Sequence, residues 1–230
     1  MKTHTTAKIA VSTIVVALLV QWVAILVASP MPPILRVVFY TALLIGSALI
    51  LGRVTGVEDV ARMVGPGTNI RTAAKYLACF AAIGLTVQGI CALFLGVISP
   101  TEAQTLRFYF FKQAPIMSNL MPLLMAPITE EIFFRGWLLG WFDKRVLSPL
   151  RLFGVEVNQA IVLSSLAFGV VHVFNIHGVF TWPKLALRIV GPFIIGIFLA
   201  RCRRESGGLL IPMVCHSFCN FIANYIFVLA

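Results

Sequence analysis

Long apolar stretches separated by short polar connections dominate the chain. A helix needs about 20 mostly apolar residues to cross a bilayer, and we predict helices at 9–28, 34–51, 76–98, 116–142, 159–174, 184–200 and 209–229. The stretches 159–174 and 184–200 are short for a full crossing, so tilted or broken helices are expected there. The pattern predicts an all-α, polytopic transmembrane helical bundle of about seven helices, within a range of six to eight.

The composition agrees with a membrane protein. Of the 230 residues, 60% are hydrophobic and only 11% are charged, far more apolar than an ordinary soluble domain. No internal repeat is evident, and the polar connections are too short for a separate soluble domain. The sequence therefore predicts a single integral membrane domain over residues 1–230, whose motif-bearing core spans about 116–229.

The formal charge of +10 is explained by the membrane topology of the chain and not by binding to nucleic acid. The basic residues are scattered between the apolar stretches and are not clustered with exposed aromatic residues, so no nucleic-acid partner is expected. They fall mainly on the side of the membrane that holds the N-terminus, which the positive-inside rule assigns to the cytoplasm. The connection 52–72, with Gly-Pro-Gly at 65–67, is expected to be a solvated cytoplasmic linker.

Two glutamates and an arginine lie in the fourth apolar stretch, as Glu130, Glu131 and Arg135. Ionisable groups at bilayer depth are costly unless they are paired or face a wet cavity, so each is a functional candidate. Residues four apart share a helix face, so Glu131 can pair with Arg135. Glu130 is left without that partner and can take up and return a proton. The alternative is a buried charge network that only fixes helix packing.

Two further pairs of polar or aromatic residues are also spaced four apart. Phe168 and His172 share a face of the fifth stretch, where a histidine can equally serve packing or bridge helices. His216 and Asn220 share a face of the last stretch and can supply two hydrogen bonds to a developing oxyanion, although Asn220 can equally just satisfy His216. A rise of about 1.5 Å per residue allows Glu130, His172 and His216 to meet in one cavity within the membrane.

Other conspicuous residues have a packing explanation. Gly136 and Gly140 form a GxxxG pattern that favours close helix approach. Pro122 and Pro127 are expected to kink the helix that carries the glutamates. His177 falls on an outer connection and is left out of the site.

The ordered set Glu-Glu-x-x-x-Arg, Phe-x-x-x-His and His-x-x-x-Asn on successive apolar helices resembles the CPBP, or Abi, family of intramembrane proteases, which includes the type II CAAX prenyl endopeptidases. The resemblance covers about residues 120 to 224. It implies a helical membrane fold whose cavity accepts a peptide bond. By this resemblance Glu130, helped by His172, would activate a water, and His216 with Asn220 would stabilise the oxyanion. The supporting positions are Glu131, Arg135 and Phe168.

The resemblance also bears on cofactors and partners. Family members have been described both as metalloproteases and as glutamate-dependent proteases without metal. The chain has no His-Glu-x-x-His pattern, and one carboxylate, two histidines and an asparagine make an unusual zinc set. We therefore favour a mechanism without a cofactor; if zinc is present, its ligands would be Glu130, His172 and His216. The expected substrate is a peptide or protein, with or without a lipid modification, reached among the membrane lipids of a prokaryotic plasma membrane.

Two other function classes fit the polar residues. A small transporter could relay protons through buried glutamate and histidine side chains. A catalytically silent membrane scaffold would need them only for folding. Hydrolysis that depends on Glu130 separates the protease from both.

Overall fold

The computed structural model describes residues 2–98, 121–145, 150–152, 155–175 and 182–222; His177 lies outside them. The first helices are α1 (Lys2–Ala28), α2 (Pro33–Thr55) and α3 (Ile70–Ile98). Four consecutive pieces then form what we call the glutamate helix: the π turn Met121–Met125, α4 (Ala126–Glu130), the π turn Glu131–Leu138 and α5 (Leu139–Arg145). The remaining elements are β1 (Leu150–Leu152), β2 (Val155–Val157), α6 (Gln159–Val171), the 3₁₀ turn His172–Asn175, α7 (Trp182–Ser206) and α8 (Leu210–Phe221).

Each predicted apolar stretch falls on helix where the structure describes it, and the described fold is all-helical apart from one small hairpin. In this hairpin β1 and β2 pair antiparallel, with Leu150 opposite Val157. One detail was wrong: helix α7 has 25 residues, about 38 Å, and is not short. The hydropathy pattern identified only the apolar part of this helix. Arginines at positions 201, 203 and 204, which favour helix, continue it beyond that part. Helix α6, at 13 residues, remains short.

Two described helices contain a span that is long and apolar enough to cross a membrane by length and composition: Val11–Ala28 within α1 and Leu35–Thr55 within α2. The outward face of α1 is apolar, since Leu19 is 52% exposed. Its buried stripe holds small or polar residues, among them Ala17, Gln21 and Ala24. This arrangement is the inverse of a soluble amphipathic helix and suits contact with lipid.

Two apolar clusters surround the helices that carry the motifs. In the larger one the aromatic residues of the glutamate helix, such as Phe133 and Trp137, pack against α1, α2 and α6. The smaller cluster joins α3, α7 and α8 through Tyr76, Phe80, Leu199, Cys202, Ile211, Cys215 and Cys219. The helices that bear the glutamates and the last motif are thus each held by other helices of the bundle.

Small residues bring α6 and α7 into close contact. A Cβ at Gly169 would lie 2.7 Å from the carbonyl oxygen of Ile189, and one at Gly196 would lie 3.1 Å from the Cβ of Ser165. Helices approach this closely only where side chains are absent at the crossing. The contact places Phe168 on α6 beside α7.

The connection 52–72 is solvated over most of its length, as predicted, but it also packs against the bundle. Val57 and Val60 are buried, and the segment 62–68 is bound to the turn 205–210 by backbone hydrogen bonds. These bonds run from Leu209 N to Arg62 O (2.9 Å), from Leu210 N to Met63 O (3.0 Å) and from Gly67 N to Ser206 O (3.1 Å). We call these two segments the clasp. The clasp fixes the start of α8, which carries His216.

An ion pair closes the clasp from the side of α3. Lys75 Nζ lies 2.6 Å and 2.8 Å from the two carboxylate oxygens of Glu205, and the Tyr76 hydroxyl donates to Glu205 over 2.7 Å. These hydrogen bonds hold the pKa of the Glu205 carboxyl below its ordinary value. The ionised form of Glu205 is therefore part of how α3 and α7 are joined.

Candidate active site

The glutamates lie where the helix changes its winding. Glu130 ends α4 and Glu131 begins a π turn. In a π turn the backbone hydrogen bonds join residues five apart, whereas in an α-helix they join residues four apart. A π turn lies on each side of α4; Pro122 falls in the first of them and Pro127 is the second residue of α4. The kink expected from these prolines stays a prediction. Because a π turn has more residues per turn, it brings successive side chains closer to one face.

The GxxxG glycines contact the connection after α2 and not another helix. A Cβ at Gly136 would lie 1.9 Å from the carbonyl oxygen of Val60, and one at Gly140 would lie 2.8 Å from Cγ1 of Val57. The close approach that we predicted is present, but its partner was wrong. The glycines therefore bring a buried loop against the helix that carries the charged cluster.

The predicted pair of Glu131 and Arg135 is confirmed. Arg135 Nη1 donates to Glu131 Oε1 over 3.0 Å, and the two side chains are 1% and 0% exposed, Arg135 first. Arg135 Nη2 also lies 3.4 Å from the carbonyl oxygen of Gly196 on α7. The arginine thus neutralises Glu131 and ties the glutamate helix to α7.

His216 connects α8 to both glutamates. Its Nδ1 lies 2.9 Å from Glu131 Oε1, and its Nε2 lies 3.7 Å from Glu130 Oε2. The sequence pattern predicts the pair of Glu131 with Arg135 but not the contact of Glu131 with His216. The rotation of α8 that aims the imidazole between two carboxylates is set by tertiary packing, which the sequence pattern does not reveal.

Phe168 lies between the two histidines. Its ring centroid is 4.8 Å from that of His172 and 5.5 Å from that of His216, and the Arg135 guanidinium lies 4.1 Å over the ring, within the range of a cation–π contact. His172 Nδ1 lies 2.7 Å from the Phe168 carbonyl oxygen. The described contacts join His172 to Phe168 and not to Glu130.

Asn220 lies one turn beyond His216 on α8 and is partly buried. The spacing of four keeps both side chains on one face of that helix. The described contacts connect these predicted site positions directly or through a neighbour: Glu130, Glu131, Arg135, Phe168, His172 and His216.

A zinc ion held by Glu130, His172 and His216 would need their donor atoms around one point. Within the described ranges no group of three His, Cys, Asp or Glu side chains is placed to hold a metal. The Phe168 ring lies against both imidazoles. The residues as placed do not fit a three-donor zinc site.

A cavity of about 340 Å³ has Arg135 in its wall. Its walls come from the connection after α2, from the stretch 135–144 and from the turn after α7, and they include Asp59, Asp143 and Arg203. Glu130 and His216 are not among its lining residues. Arg135 is the residue that this cavity shares with the charged cluster.

Comparison with known proteins shows what this part of the chain resembles. Residues 112–222 match the family model described as type II CAAX prenyl endopeptidase Rce1-like. An uncharacterized 24.3 kDa protein from Escherichia coli is 26% identical over 137 residues, which make up 59% of this chain and 56% of that relative. The match thus spans little more than half the length of the relative. No solved structure matches the chain.

All seven motif positions, from Glu130 to Asn220, lie inside the matched range. The resemblance inferred from the order and spacing of the motifs is confirmed. Residues 112–222 of this chain are similar to the Rce1-like type II CAAX prenyl endopeptidases.

Proposed function

We propose that the chain is a polytopic intramembrane peptidase that hydrolyses a peptide bond with a water activated by Glu130. The family supports a membrane-embedded peptidase. The lipid-compatible outer faces of α1 and α2 support a membrane setting. The observation that carries the proposal is the approach of one imidazole, His216, to two carboxylates that come from another helix.

Glu131 prepares His216 for this role. A carboxylate on Nδ1 fixes the orientation of an imidazole, as the acid does in a catalytic triad. The ring then presents its Nε2 on the side of Glu130. We assign His216, together with the Asn220 amide, to the oxyanion that forms from the substrate carbonyl.

His172 is suited to help the base. Its Nδ1 faces the Phe168 carbonyl oxygen, which can only accept, so Nδ1 carries the proton and Nε2 of the neutral ring has a free lone pair. A lone pair in that position can accept a hydrogen bond from the attacking water. His172 therefore orients the water in this proposal, and Glu130 takes its proton.

The chemical step balances without a further reactant. Glu130 removes one proton from water as the water oxygen attacks the carbonyl carbon. The tetrahedral intermediate collapses, the carbon–nitrogen bond breaks, and Glu130 returns the proton to the leaving nitrogen. The products are a carboxylic acid, which then loses its proton to solvent to become a carboxylate, and a new amine.

The membrane orientation and the substrate complete the proposal. The positive-inside rule places the N-terminus and the clasp in the cytoplasm, so the substrate is cut from the cytoplasmic side. The substrate class is a peptide or protein segment. A CAAX tail with a prenyl group and the same tail without it are the two forms to compare.

The test is cleavage of a panel of internally quenched peptides, prenylated and unprenylated, by the purified protein in lipid nanodiscs. We expect cleavage by the wild type, and a loss of about 10²–10⁴-fold in the Glu130→Gln variant. Glu58→Gln is the matched control, because Glu58 is exposed and lies outside the cluster. Cleavage that survives Glu130→Gln, or no cleavage of any peptide by the wild type, contradicts the proposal.

A further inference from the structure

The cavity of about 340 Å³ lies at the level where the first two helices reach the membrane surface. Trp141 Nε1 donates over 3.0 Å to Oγ1 of Thr13, two residues after the start of the apolar span of α1. Lys144, which lines the cavity, donates through Nζ to the carbonyl oxygen of Gly56, one residue after the end of the apolar span of α2. Tryptophan is enriched at this depth. The cavity therefore lies at the level of the lipid headgroups, on the side that holds the N-terminus.

The charged side chains of the cavity wall are mostly paired already. Four of those described are basic and three are acidic: Arg135, Lys144, Arg203, Arg204, Glu58, Asp59 and Asp143. Three ion pairs account for five of them: Arg135 with Glu131, Arg204 with Asp143, and Asp59 with Arg62 outside the lining. Glu58 is exposed to solvent. The cations left in the wall are Lys144 and Arg203.

Arg203 is a cation whose hydrogen-bond donors are largely unused. Its Nη2 lies 3.5 Å from the carbonyl oxygen of Asp59, longer than an ordinary hydrogen bond. Its Nε is buried without a hydrogen-bond partner in the described part of the chain, and no described carboxylate forms a salt bridge with it. A buried donor without an acceptor is costly, so an acceptor supplied by a ligand would stabilise this arrangement.

A phosphate group matches these donors. The planar guanidinium of an arginine presents paired N–H groups to phosphate oxygens, and the ammonium of a lysine adds a compact charge. Arg203 comes from α7 and Lys144 from α5, and the several oxygens of one phosphate can accept from both walls. The cavity volume of about 340 Å³ is within the range of small-molecule sites, about 300–1,000 Å³. It leaves room for a small polar group attached to the phosphate.

The surroundings of the cavity favour a phospholipid as the source of this phosphate. Basic pockets between helices on the cytoplasmic side of a membrane bind the headgroups of anionic lipids. The last turns of α2, which lead into the cavity wall, present apolar side chains outward: Ile50 is 66% exposed and Val54 is 79% exposed. Acyl chains can lie along this face of α2 while the headgroup lies in the cavity.

We propose that the cavity between the glutamate helix, the connection after α2 and the end of α7 binds a phosphate group through Arg203 and Lys144, and that its occupant is the headgroup of an anionic phospholipid. A soluble phosphate compound offers the same chemistry, and the test separates the two sources. The site is independent of the proposed peptidase function, because Glu130 and His216 are not among its described lining residues.

The test of the lipid is native mass spectrometry of the full chain, delipidated in detergent and then titrated with defined lipids. We expect phosphatidylglycerol to bind at least ~10-fold more tightly than phosphatidylcholine, which carries no net charge. Arg203→Gln should weaken the binding of phosphatidylglycerol by at least ~10-fold. Arg201→Gln is the matched control, because Arg201 is an exposed arginine of the same helix outside the described lining of the cavity. It should bind phosphatidylglycerol as the wild type does.

A second variant keeps the test decisive if Arg203→Gln does not fold. Lys144→Gln changes an exposed side chain and should weaken the binding of phosphatidylglycerol by about 3–10-fold. Equal binding of the two lipids, or equal losses in Lys144→Gln and Arg201→Gln, contradicts a lipid site in this cavity.

The soluble source is tested with glycerol 3-phosphate and inorganic phosphate. A ligand that binds the folded state raises the melting temperature of the delipidated protein. Phosphatidylglycerol binding that depends on Arg203, without a rise in melting temperature from millimolar soluble phosphate, supports the lipid. A rise that depends on Arg203, with equal binding of the two lipids, supports the phosphate site and overturns the lipid as its occupant. If neither class of ligand responds to Arg203→Gln or Lys144→Gln more than to Arg201→Gln, the phosphate site itself is overturned.

Discussion

Replacing Arg135 by methionine tests the buried pair that braces the glutamate helix. The change keeps most of the side-chain volume but leaves the fully buried Glu131 carboxylate with His216 as its described partner. Removing one member of a buried ion pair costs about 3–5 kcal/mol, so we expect a loss of that size in the free energy of unfolding. Glu131→Gln should cost a similar amount, because it strands the guanidinium, although its amide oxygen still accepts from His216.

The double variant Glu131→Gln/Arg135→Met separates pairing from packing. With both charges gone, we expect a cost close to that of one single change and far below the sum, which gives a coupling energy as large as one single cost, about 3–5 kcal/mol. The assay is equilibrium unfolding in mixed micelles with increasing SDS. Arg62→Met is the control: it breaks an exposed pair with Asp59 and should change stability by less than about 0.5 kcal/mol. A cost below about 1 kcal/mol for Arg135→Met, or additive single costs, refutes the pairing.

Two further predictions concern the clasp and the loop contact. Gly136→Ala should lower the free energy of unfolding by about 1–3 kcal/mol in the same assay, because its Cβ would meet the Val60 carbonyl. The control is Gly46→Ala, whose Cβ meets nothing within 4 Å and which should be neutral or stabilising. Equal effects of the two changes would contradict the contact. Because the pKa of Glu205 is lowered in the folded protein, its contribution is present above the ordinary carboxyl pKa of about 4.3 and is lost as the pH falls through the lowered value. The melting temperature of Glu205→Gln should therefore lie below that of the wild type at pH 7 and converge with it in acid, and a constant difference across that range would argue against the ion pair.

The sequence predicted what depends on spacing within one helix. The pair of Glu131 and Arg135 follows from four-residue spacing, and it persists where the helix widens into a π turn. The approximate positions of the helices follow from apolar length. The contact of Phe168 with His172 follows from the same spacing, with the ring of one against the ring of the other.

The features that the sequence did not predict depend on how helices rotate and where loops pack. The contact of His216 with Glu131 needs the rotation of α8, which the clasp and the apolar clusters set. The clasp is made of backbone hydrogen bonds, which leave little trace in composition; the Gly-Pro-Gly at 65–67 and the Gly-Gly at 207–208 were its signal. Gln21, an isolated amide in a long apolar stretch, was the signal for a polar contact between α1 and α2, in which the Tyr40 hydroxyl donates to Gln21.

The most direct measurement of the central claim is the fate of the water oxygen. Cleavage of a peptide substrate in H₂¹⁸O, followed by mass spectrometry, reports whether the new carboxylate carries oxygen from solvent. We predict one ¹⁸O atom in each newly formed carboxylate with the wild type, and no labelled product above background with Glu130→Gln. Labelled product formed at the wild-type rate by Glu130→Gln would contradict the assignment of Glu130 as the group that activates the water.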